Sequence, residues 1–131
     1  MSGRFCCILF CAATLLADES GDRAKLIGSW EGDGSVWTLQ QNGDALHVTE
    51  ARSDHTTLEI QCAIGSECNV KDGGHSVKVT MYYNGPKLVE METRGSEVFK
   101  RRFGVTGDEM EIETIPIVPG GKTQITKLKR K

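Results

Sequence analysis

Residues 76–105 read Ser76-Val77-Lys78-Val79-Thr80-Met81-Tyr82-Tyr83-Asn84-Gly85-Pro86-Lys87-Leu88-Val89-Glu90-Met91-Glu92-Thr93-Arg94-Gly95-Ser96-Glu97-Val98-Phe99-Lys100-Arg101-Arg102-Phe103-Gly104-Val105. Apolar and polar residues alternate along each third of this stretch, and Asn84-Gly85 and Arg94-Gly95 interrupt the alternation where a chain reversal needs positive φ. It reads as three antiparallel strands joined by hairpins. The same punctuation recurs on both sides, at Asn42-Gly43-Asp44, Ser53-Asp54-His55, Thr106-Gly107-Asp108 and Pro119-Gly120-Gly121. No segment carries a helical period long enough to compete, and only residues 18–27 leave room for a helical turn. The pattern predicts an all-β domain, a single antiparallel up-and-down meander of eight or nine strands. Such a meander protects its edges either by closing into a small barrel or by folding over as a β-sandwich.

Strand parity assigns the faces. Val77, Val79, Met81 and Tyr83 share one face; Val89 with Met91, Phe99 with Phe103, and Met110 with Ile112 continue it on the following strands. Taking these as interior puts Glu90 and Glu92, then Lys100 and Arg102, then Glu111 and Glu113 outside, as a ladder of alternating sign. Arg101 breaks the pattern. It lies between Phe99 and Phe103 on the face assigned to the interior, where a guanidinium needs a partner. In one reading it anchors the anionic head of an apolar ligand inside a barrel, with Trp37 and Tyr83 as further ligand contacts. In the other it pairs with an internal carboxylate such as Glu50, or reaches water at a strand end.

The N-terminus reads as an export signal. Arg4 supplies a positive start, and Phe5 to Leu16 is an apolar run of twelve residues, too short to span a bilayer. The expected organisation is a cleaved segment at residues 1–17, with Ala13 as the other cleavage position, followed by a β-barrel domain at residues 18–131. Export implies a periplasmic or extracellular location and no membrane span in the mature chain. Removing residues 1–17 takes away Arg4 alone among the charged residues, so the net charge passes from −2 to −3. That balance argues against nucleic acid as a partner, although Lys127, Lys129, Arg130 and Lys131 crowd the C-terminus.

Cysteines divide at the same boundary. Cys6, Cys7 and Cys11 belong to the expected signal, whereas Cys62 and Cys68 form the only pair beyond it and predict a disulfide. The bridge would close a short loop and contribute on the order of 2 kcal/mol. A zinc site built from Cys62, Cys68, His55 and His75 is the sharper alternative, but the spacing matches no zinc knuckle.

Leu26-Ile27-Gly28-Ser29-Trp30 resembles the Gly-x-Trp signature that opens the first strand of lipocalins and their relatives in the calycin group. The continuation through Trp37 is also similar to the first hairpin of avidin-type barrels. The resemblance implies a calycin-like barrel in which Gly28 and Trp30 are structural. Trp30 would plug the closed end, and Lys129 or Arg130 from the last strand would cover it. A large indole with a cation on its face suits that task physically. The chain departs from fatty-acid-binding proteins in lacking a two-helix lid and in having Lys127-Leu128-Lys129 at the end in place of an Arg-x-Tyr pair.

Nothing in the chain spells catalysis. No serine sits in a Gly-x-Ser-x-Gly elbow, and Asp72-Gly73-Gly74 and Pro119-Gly120-Gly121 lack the helix that a phosphate-binding loop requires. The expectation is an exported, non-enzymatic binding domain with no cofactor and no metal. It would hold a small apolar or amphipathic ligand or, with a filled core, engage a protein or cell-envelope partner.

Overall fold

Among the described residues ten strands follow one another: β1 (Gly28–Gly32), β2 (Ser35–Asn42), β3 (Ala45–Ala51), β4 (Thr57–Ala63), β5 (Glu67–Asp72), β6 (His75–Asn84), β7 (Lys87–Arg94), β8 (Glu97–Thr106), β9 (Glu109–Pro116) and β10 (Gln124–Arg130). The computed structural model describes residues 21–131; the expected export segment, with Cys6, Cys7 and Cys11 and both cleavage positions, lies outside the described residues. A helical turn at residues 21–24 precedes β1.

All strand pairs are antiparallel, in the order β4-β3-β2-β1-β10-β9-β8-β7-β6-β5. Because β1 pairs with β10 as well as with β2, Trp30 stands opposite both Arg130 and Trp37. First-to-last pairing bends the meander into a nearly closed barrel with a calycin-like fold, and a two-sheet sandwich is not formed. The hydrogen-bonded order ends at β4 and β5, which are consecutive in the chain. There the Cys62–Cys68 disulfide, with Cα atoms 5.9 Å apart, joins the two edges. The intervening turn is tied down by Gly65 N–H donating to the Met81 carbonyl at 2.8 Å.

Turn chemistry sets the registers. In the β1–β2 hairpin Asp33 (φ 50°) and Gly34 (φ 77°) both take the left-handed region, the pairing of a type I′ turn. The strand beyond the expected eight or nine is β5. Its Glu-Cys-Asn-Val-Lys-Asp sequence has few apolar residues and reads locally as part of the cystine loop. Pairing of Cys68 with Val79 and of Val70 with Val77, on the apolar side of β6, recruits it into the sheet.

One assignment of faces is reversed. The β6–β7 hairpin pairs Tyr83 with Leu88 and Met81 with Glu90, and cross-strand partners share a face. Leu88, Glu90 and Glu92 therefore point inward, and Val89 and Met91 lie on the other face, where Val89 is nonetheless buried. The sign-alternating outer ladder loses its β7 rung and keeps Arg102 opposite Glu113.

Opposite walls meet in the middle of the barrel. Trp37 of β2 and Phe103 of β8 make an edge-to-face contact with ring centroids 5.5 Å apart. Leu39, Val48, Ile60, Val79, Met81, Leu88, Met110, Ile112 and Leu128 belong to the same buried core. Each such side chain contributes roughly 1.5–3 kcal/mol by burial.

Candidate functional site

The two ends of the barrel differ in chemistry. The end at which β1 begins is sealed by residues 21–27. Leu26 packs inside, and the fully buried Trp30 donates its indole N–H to the Leu26 carbonyl at 3.0 Å. Arg130 from β10 lies over the Trp30 ring, 4.0 Å from guanidinium carbon to centroid. It donates to the carbonyls of Ile27 at 3.1 Å and Lys25 at 2.7 Å, which straps the N-terminal segment to the last strand. Gly28 makes room for this strap, because a Cβ there would stand 2.8 Å from Arg130 Nη1 and the backbone holds φ at 132°. Lys129 is not part of it; Lys129 is exposed, opposite Glu109 and Glu31.

Tyr83 also belongs to this sealed end. Its hydroxyl donates to Gln41 Oε1 at 2.7 Å, and Arg23 lies over its ring at 4.9 Å. Tyr83 is therefore not brought together with Arg101 and Trp37, which occupy the opposite end.

At that opposite end a chain of ion pairs runs across the interior. Arg101 Nη1 donates to Glu90 Oε1 at 2.9 Å and also to Glu92 Oε1. Arg94 bridges onward, with Nε on Glu92 Oε2 at 3.0 Å and Nη2 on Asp72 Oδ2 at 2.6 Å. Asp72 in turn accepts both terminal nitrogens of Arg52, at 3.0 and 3.1 Å, and Arg52 Nε reaches Glu50 Oε1 at 3.0 Å. Arg101 thus finds internal carboxylates, but these are Glu90 and Glu92. Glu50, the partner suggested by sequence, is held by Arg52.

Three guanidinium groups face four carboxyl groups in this chain, and burial decides how the imbalance is met. Glu90 and Glu92 are each 1 % exposed and Arg101 13 %. Desolvation pushes the Glu90 carboxyl up to about 8, against the opposing pull of Arg101, which favours its neutral form at neutral pH. In its neutral form it shares a hydrogen bond with Glu92, which raises it further. Burial also works against the charge of Glu92, but the Glu90 hydrogen bond and Arg101 outweigh it and hold Glu92 below the usual range. The Arg52 hydrogen bonds hold Asp72 down at about 2. With Glu90 neutral, the charges of the chain balance.

Above this network the barrel opens through a cleft of about 230 Å³, lined by Trp37, Glu50, Arg101, Ile112, Thr114 and Gln124 among others. Arg101 stands between two aromatic rings, 5.5 Å from the Trp37 centroid and 4.8 Å from that of Phe99. Its contacts with Glu90 and Glu92 both use Nη1. Its Nε and Nη2 make no hydrogen bond to the described residues, and neither is sealed from solvent. Donors on a nearly buried, aromatic-clamped guanidinium thus face the cleft. Ile117 and Val118, in the β9–β10 connection at the same end, are exposed.

The cysteines considered as alternative zinc ligands are consumed by the bridge, and among the described residues no group of three or more His, Cys, Asp or Glu side chains is arranged to hold a metal ion. No helix of the described residues is long and apolar enough to cross a membrane.

No protein-family model matches the chain. Solved structures with the same architecture do. A Schistosoma mansoni fatty-acid-binding protein in complex with arachidonic acid superposes with a TM-score of 0.71 at 19 % identity, over 84 % of this chain and 98 % of that one. Secretory abundant heat soluble protein 4 from Ramazzottius varieornatus gives a TM-score of 0.70 at 16 % identity, covering 81 % and 94 %. Zebrafish ileal bile-acid-binding protein with cholic acid gives 0.62 at 16 % identity, covering 80 % and 98 %. At these identities the likeness is one of fold.

Proposed function

We propose that this protein is an exported, non-enzymatic binding domain that holds a small amphipathic molecule at the open end of its barrel. The ligand's polar head meets Arg101, and its apolar part lies against Trp37 and Ile112. The observation that carries this reading is the pair of unpartnered Arg101 donors, Nε and Nη2, presented to a cleft by a side chain otherwise enclosed. A guanidinium so placed gains from an acceptor that a ligand supplies. The neighbours that bind fatty acids and bile acids support a small hydrophobic ligand, and they are binding and transport proteins. The Cys62–Cys68 disulfide supports an oxidising location. The modest cleft, with the Trp37–Phe103 contact beneath it, favours a ligand held at the mouth over one enclosed in the core.

Native mass spectrometry of protein purified from its source tests this. The expected result is a retained small molecule on a chain that lacks the N-terminal segment and is two hydrogens lighter than its reduced form. Recovery of a ligand-free barrel, together with specific retention of a protein or envelope component, overturns it.

A further inference from the structure

We infer that the mouth site selects an uncharged polar head, a hydroxyl or carbonyl oxygen, over a carboxylate. The inference rests on the binding reading above and specifies the ligand's chemistry. An arginine inside a barrel is an anion site only if its charge is not already answered. Here Arg101 spends Nη1 on both Glu90 and Glu92, whose side chains are almost completely buried and cannot be turned aside to water. The next cation, Arg94, is held by Glu92 and Asp72, and Arg52 by Asp72 and Glu50. No guanidinium of the chain of ion pairs is left with an uncompensated charge.

The cleft itself adds negative charge, since Asp33 lines it alongside Arg101, and the Glu50 carboxylate at its wall is already held by Arg52. A second carboxylate brought to Arg101 would share one guanidinium with two buried acids and would give up its hydration without a counter-charge. A neutral oxygen meets no such opposition. It accepts from Nε or Nη2, while Thr114 and Gln124 on the same wall offer further hydrogen bonds. Trp37 and Ile112 supply the apolar contact.

Isothermal titration of the oxidised protein at pH 7 with 1-octanol and with octanoate, which share a chain length and differ in head, decides the matter. Octanol is expected to bind at least about tenfold more tightly, a difference of about 1.4 kcal/mol. In ¹⁵N spectra octanol should also shift the Arg101 Nε–H or Nη–H resonances. Glu92→Gln removes one buried negative charge and should narrow or invert the preference; the wild-type comparison stands whether or not that variant folds. Octanoate binding as tightly as octanol, or more tightly, overturns the inference and leaves the binding reading intact. Octanol binding without a response at either the Nε–H or the Nη–H resonances of Arg101 overturns the assignment of the head to this residue. Binding of neither compound removes the binding reading and the inference with it.

Discussion

Replacing Glu90 by glutamine should stabilise the protein at neutral pH, by an amount that follows from the position of this side chain. Burial raises the Glu90 carboxyl from 4.5 to about 8 in the folded protein. Between those pH values the unfolded chain has released the proton and the folded chain has kept it, so stability falls as pH rises through the window and is level above it. The slope is about 1.4 kcal/mol per pH unit for one proton. Two and a half pH units separate 4.5 from 7, so wild type forgoes roughly 3 kcal/mol at pH 7 relative to a side chain that stays neutral. Glutamine at this position is such a side chain: its amide oxygen can accept from Arg101 and its NH₂ can donate toward Glu92. Glu90→Gln is therefore expected to match wild type near pH 4.5, to exceed it by about 3 kcal/mol at pH 7, and to level off above pH 8. Urea unfolding of both proteins at pH 5, 6, 7 and 8 measures the difference directly. The Asp72 and Glu92 contributions are common to both chains and cancel to first order. A difference that does not vary with pH, or a variant less stable than wild type at pH 7, refutes the assignment of a buried neutral acid at this position.

Other expectations follow from the same geometry. Arg101→Met strands Glu90 and Glu92 and should lower stability by about 3–5 kcal/mol with or without ligand, as read from denaturant midpoints. Asp72→Asn removes the carboxylate that joins Arg52 to Arg94; because that carboxyl sits at about 2 when folded against an ordinary 3.8, the loss should be at least about 2 kcal/mol at pH 7 and should vanish as pH falls through 2. Reduction of Cys62–Cys68 should cost about 2 kcal/mol and increase amide exchange along the β4 and β5 edges. Gly28→Ala should destabilise by at least about 1 kcal/mol, through its backbone conformation and its collision with Arg130, and should alter the near-ultraviolet circular dichroism of Trp30.

The meander is legible in the sequence because its signals are local. Glycine-bearing hairpins, two-residue alternation and a Cys pair six positions apart need no knowledge of distant contacts. β5 escapes for the complementary reason: Glu67–Asp72 forms a strand only because β6 offers it an apolar partner face. The inward glutamates are more instructive. Judged by hydropathy alone, Val89 and Met91 outrank Glu90 and Glu92 for the interior. Register decides otherwise, and it is readable: the Gly85-Pro86 loop pairs Met81 with Glu90, and the Gly95-Ser96 loop pairs Glu90 with Arg101. An interior arginine flanked in register by two acids is a complete ionic site, which parity taken strand by strand does not reveal. Arg94, Asp72 and Arg52 join that site from three separate segments, and nothing in their local sequence marks them. Parity groups Tyr83 with Trp37 and Arg101 because all three share the inner face. Position along the barrel axis separates them, and parity carries no information about that axis.

We propose the open end, between Trp37 and Arg101, as the place where this barrel meets its ligand. The most direct measurement is a crystal structure of protein purified from its source without extraction of bound small molecules. Density for a small molecule within hydrogen-bonding distance of Arg101 Nε or Nη2, with its apolar part on Trp37, is the predicted result. A cleft filled only by water while a retained molecule sits elsewhere on the barrel would contradict it.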